Sequence, residues 1–71
     1  MNKTDIIRLQ KYLQGKFGNK NITLMERKQD KTSLEVMLAG EFIGTVYRDE
    51  DEGEVSYDFN MAILDMDLPP A

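Results

Sequence analysis

The apolar residues of this chain change their spacing once, near Asn21, and that change dictates the class of fold. Before it, Ile6, Leu9, Leu13 and Phe17, with Tyr12 beside them, recur at the intervals that line one side of a helix. After it, the period drops to two, as in Leu34, Val36 and Leu38. A helix with one apolar stripe and a sheet with one apolar face must bury them against each other.

The spacing predicts a helix over 4–17, with Thr4 as N-cap and Asp5 at the positive end of the dipole. Gly18-Asn19 supplies a left-handed stop. Strands are expected over 22–28, 33–39, 41–48 and 54–61, the last with Val55, Tyr57, Phe59 and Met61 on one face. Residues 62–68 break that phase and fit a bulge, a short fifth strand or a helical turn. Short polar turns join the strands, so neighbours run antiparallel. The expected architecture is α+β: an N-terminal helix packed on a three- to four-stranded antiparallel meander. It forms one domain over 1–68, with 69–71 as a frayed C-terminus.

The register of the second hairpin decides which residues stay uncovered. A three-residue loop at 39–41 places Phe42, Gly44 and Val46 beside Leu34, Val36 and Leu38; a two-residue loop places Ile43, Thr45 and Tyr47 there. The first choice is favoured, because Gly44 would let the helix approach the sheet closely. It leaves Met25, Met37, Ile43 and Tyr47 on the open face.

Composition narrows the chemistry. The chain has 71 residues and contains neither cysteine nor histidine. There is thus no disulfide, no thiolate metal site and no imidazole base. A core in so short a chain nets about 3–5 kcal/mol, which favours a partner, self-association or very good packing. The first residues lack the apolar run of a signal peptide, and nothing approaches a membrane span. A cytoplasmic location is expected, with no membrane and no cofactor.

The net charge of −4 is uneven. Residues 1–31 carry eight basic and three acidic side chains, or +5; residues 32–71 carry one basic and ten acidic, or −9. Arg8, Lys11 and Lys16 give the helix a basic outer face. Asp49-Glu50-Asp51-Glu52-Gly53 form an acidic loop whose alternate carboxylates suggest calcium, but the glycine and the flanking strands do not match an EF-hand. A solvated hairpin tip is the better reading.

Several stretches carry a resemblance: Gly40-Glu41-Phe42-Ile43-Gly44, Arg48-Asp49-Glu50, Gly53-Glu54, Ser56-Tyr57, Met61 and Ile63-Leu64-Asp65-Met66-Asp67-Leu68, with Lys16-Phe17-Gly18-Asn19 upstream. From about Ile7 to Leu68 the chain resembles a family of short bacterial proteins classed as a domain of unknown function and largely confined to alphaproteobacteria. The resemblance implies a stand-alone cytoplasmic domain and assigns no activity, so no functional residue carries over.

Three readings follow. The leading one is a small non-catalytic module that binds a protein partner or itself, as a homodimer, through Met25, Met37, Ile43 and Tyr47. The second is a weak nucleic-acid or anionic-ligand binder using Arg8, Lys11 and Lys16, although an acidic domain disfavours nucleic acid. The third is a metal site at Asp49 and Asp51. No catalytic residue is expected.

Overall fold

The structure, a computed structural model, describes residues 1–71, the side chain of Glu52 excepted. One helix precedes a four-stranded antiparallel sheet, as the change of period requires. Helix α1 spans Lys3–Phe17 and begins earlier than expected, because Asn2 rather than Thr4 caps it. The Asn2 side-chain oxygen accepts the Asp5 N–H at 2.8 Å, satisfying one of the free donors of the first turn. Gly18, in left-handed conformation, closes the other end by donating its N–H to the carbonyls of Gln14 and Gly15.

The strands are β1 (Ile22–Arg27), β2 (Asp30–Leu38), β3 (Glu41–Asp49) and β4 (Ser56–Asn60), in the spatial order β1-β2-β3-β4. Leu13 from the helix and Ile22, Leu24, Leu34, Val36 and Val46 from the sheet form the core. The chain after β4 adds no fifth strand. Its one regular feature is a single 3₁₀ turn at Asp65–Asp67.

The second hairpin combines the two registers weighed from the sequence. Leu38 pairs with Glu41 across a two-residue turn, not the favoured three-residue loop. Ala39 and Gly40 both have positive φ, 50° and 84°, which is the geometry whose twist matches that of paired strands. A bulge then inserts one residue: Met37 pairs with Phe42, whereas Val36 pairs with Gly44. The bulge returns Gly44 and Val46 to the core side, as favoured, and turns Phe42 away from it. Ile43, expected on the open face, is half-buried and packs against the core cluster.

The first hairpin turns at Lys28-Gln29, tighter than the polar segment expected over 29–32. Asp30 fixes its exit. Its carboxylate accepts the Thr32 hydroxyl at 2.6 Å and the Thr32 N–H at 2.9 Å. These bonds, the hydroxyl foremost, hold the Asp30 carboxyl below its ordinary value of 3.8. A carboxyl whose folded pKa is depressed stabilises the fold above its unfolded pKa and loses that contribution as pH falls through the folded value. Asp30→Ala should therefore lower the urea midpoint at neutral pH, and the deficit should shrink once the pH drops below 3.8. Equal deficits at about pH 7 and about pH 2 would mean that the ionised carboxylate is not what stabilises this turn.

Candidate interaction groove

Two glutamines determine where the helix lies. Strand β1 is a sheet edge, and an edge exposes unpaired backbone groups. Gln10 accepts the Leu24 N–H at 3.0 Å, and Gln14 donates to the Ile22 carbonyl at 2.9 Å and to the Lys20 carbonyl at 3.3 Å. One turn apart on α1, these amides bind the helix to β1 and satisfy part of its outer edge. The helix therefore sits over β1, at one side of the sheet.

The other side of the same face stays open. Between α1 and strands β3 and β4 runs a groove of about 660 Å³. Leu9 and Leu13 form one wall, Val46, Tyr57 and Phe59 the floor, and Tyr12 and Phe17 the lip. Phe17 meets Phe59 edge to face, with ring centroids 6.2 Å apart at 89°, and so narrows one end. Tyr12 remains 62% exposed although it belongs to an apolar stripe. The helix carries a wider apolar stripe than one edge strand can cover.

The charges lie on the rim. Arg8 and Lys16 line the helix side, and Asp5 stands one turn before Arg8, with 3.7 Å between their charged groups. Arg8 is exposed and Asp5 half-buried, and a pair with one partner so solvated contributes little to stability. Lys11, grouped with them from the sequence, is exposed and does not line the groove. Outside the groove lining, near the end of β3, Arg48 pairs with Glu50. The Tyr57 hydroxyl, and after it the charge of Glu50, hold the Arg48 guanidinium above its ordinary pKa.

The outer sheet face is less continuous than the groove. Met25 and Tyr47 are exposed there, but Met25 stands opposite Glu35 and Tyr47 opposite Asp58. Met37 stands opposite Phe42 in β3 and opposite Thr23 in β1. Apolar and polar side chains therefore alternate across this face. Ile43 has left it for the core.

The acidic loop turns inward on its own chain. Asp49 accepts the Asp51 N–H at 2.8 Å, and Glu50 is paired with Arg48; the side chain of Glu52 lies outside the described residues. Among the described residues no three acidic side chains gather into a cluster that could hold an ion. No helix is long and apolar enough to cross a membrane.

Beyond Asn60 the chain stays on the surface. Met61, Ile63, Leu64, Met66 and Leu68 are all exposed, Met66 to 84%. Asp65 and Asp67 alternate with them and no basic residue follows Arg48. Ala62 lies beside Phe42–Thr45, so the segment leaves past the β2–β3 turn, away from the groove. The molecule is correspondingly elongated, 43 × 25 × 24 Å.

A family model described as "Protein of unknown function (DUF3126)" matches residues 5–67. No curated protein and no solved structure matches the chain.

Proposed function

The chain belongs to this family of unknown function, and we propose from its own surface that it is a non-catalytic docking module, working in the bacterial cytoplasm, whose groove takes an apolar segment bearing acidic residues. One observation supports this reading above the others: the half-buried rings of Tyr57 and Phe59, lying over the buried Val46, are left open beside a helix whose rim carries Arg8 and Lys16 against a single carboxylate, Asp5. Exposed apolar surface with a charged border is the usual form of an interaction site. The basic rim selects for acidic occupants through complementarity rather than through strong individual ion pairs.

A short peptide alternating leucine with aspartate, titrated into the labelled protein, should shift the amide resonances of Leu9, Leu13, Val46, Tyr57 and Phe59. The same peptide with lysine replacing aspartate should leave them in place. If neither peptide moves these resonances, or if the shifts fall on Met25, Met37 and Tyr47 instead, the groove is not the docking site.

A further inference from the structure

The groove and the C-terminal segment have complementary chemistry, and neither is covered in the single chain. We infer that the groove of one copy receives residues 61–68 of a second copy, so that the protein forms a reciprocal dimer; this inference rests on the docking role proposed for the groove.

Charge supplies the first argument. The helix side of the groove carries Arg8, Lys16 and Asp5, a net positive rim on which Lys16 has no acidic neighbour among the lining residues, whereas the segment carries Asp65 and Asp67 and no basic residue. The split between a +5 first part and a −9 remainder thus has a physical use between two copies. Apolar content supplies the second. Ile63, Leu64, Met66 and Leu68 are exposed side by side, a concentration of apolar surface that a solvated tail does not need.

Direction and exposure set the segment apart from the chain's own groove. Strand β4 runs from Tyr57 to Phe59 along the floor and delivers Asn60 opposite Thr45. The chain continues onward to Ala62, beside Phe42 and Ile43, and Leu64 is extended. Entering its own groove would require a reversal directly after Asn60. A second copy related by a two-fold axis receives the segment without one and returns its own, which closes the assembly at two.

Light scattering coupled to size exclusion, on the full chain over a wide concentration range, tests this. The expected mass is twice the 8.2 kDa of the chain. Leu64→Asp with Ile63→Asp should halve the mass, and so should Arg8→Glu with Lys16→Glu. All four positions are exposed, and unchanged circular dichroism would show that the fold survives. Adding Asp65→Lys and Asp67→Lys to the Arg8→Glu, Lys16→Glu chain reverses both partners and should restore the dimer. A wild type that stays monomeric at every concentration overturns the inference, as does a dimer that ignores the Ile63 and Leu64 changes or a double reversal that stays monomeric. The docking role is judged separately. Groove resonances that move with the acidic peptide in a monomeric wild type would keep the groove and discard the second copy as its occupant; resonances that do not move in a monomeric wild type would discard both.

Discussion

Leu34→Ala should leave the chain largely unfolded at 25 °C. Leu34 is 1% exposed, on the second strand, with Glu26 opposite it in β1 and Val46 opposite it in β3. Among the described residues six apolar side chains form the buried cluster, with only partly buried side chains packed around it, so little can relax into the space the side chain vacates. Leucine truncation in a filled core costs about 2–5 kcal/mol, and a domain of this length nets about 3–5 kcal/mol. The two ranges overlap, and the variant should lose its cooperative urea transition. Met25→Ala removes a side chain of similar size from the open face, 53% exposed, and should change stability by no more than about 0.5 kcal/mol. Both must be measured at one protein concentration, because association would add to the apparent stability. A cooperative melt for Leu34→Ala with a loss under about 1 kcal/mol would mean that the core is not centred on β2.

The helix and strands were legible because period is a strong signal. Ile6, Leu9 and Leu13 could only be helical in that spacing, and Leu34, Val36 and Leu38 could only be a half-buried strand. The open antiparallel order followed from the short turns. What escaped was finer. Asn2 caps the helix because its side chain reaches the Asp5 N–H, and Thr4 offered the same chemistry two residues later; composition cannot separate two good caps that close together. The bulge at Ile43 escaped for a related reason. A two-residue turn at Ala39-Gly40 puts the wrong residues against Val36 unless one is inserted, and alternation alone does not show an insertion.

The groove was missed for a geometric reason. From the sequence the helix was expected to approach the sheet closely at Gly44, on β3. Gln10 and Gln14 draw it to the β1 edge instead, and a pair of amides one turn apart reads in sequence as ordinary surface. The signal that was available is Tyr12 beside Leu9 and Leu13, with Phe17 following: a stripe too wide for one strand. Arg8 and Lys16 were picked out from the sequence as a basic face. They do share a rim, but it borders an apolar floor, and that floor turns a reading of anion binding into one of an acidic, apolar segment.

Gly44→Ala should detach β4 while sparing the rest of the sheet. Gly44 was expected to admit the helix; what approaches it is β4. A methyl group there would meet the Asn60 carbonyl oxygen well inside contact distance, with the Phe59 ring at 2.8 Å and the Asn60 carbonyl carbon at 3.3 Å. Two of these three atoms are backbone and cannot swing aside as a flexible side chain does. Overpacking of this kind costs about 1–3 kcal/mol, and the upper part of that range applies where the strand itself must move. The midpoint should fall by roughly 12–24 °C for a 3 kcal/mol loss in a domain this small. The damage should also be local. Because β4 is an edge paired only with β3, its amides at Tyr57 and Phe59 should exchange freely while those of Leu34 and Val36 stay protected. Since Tyr57 and Phe59 form part of the groove floor, Gly44→Ala should abolish the response to the acidic peptide even at a temperature where α1 and β1–β3 remain folded. Wild-type melting together with protected β4 amides would show that β3 and β4 have room for a methyl group at Gly44, and the floor of the groove would then have to be held by something other than the register of β3 and β4.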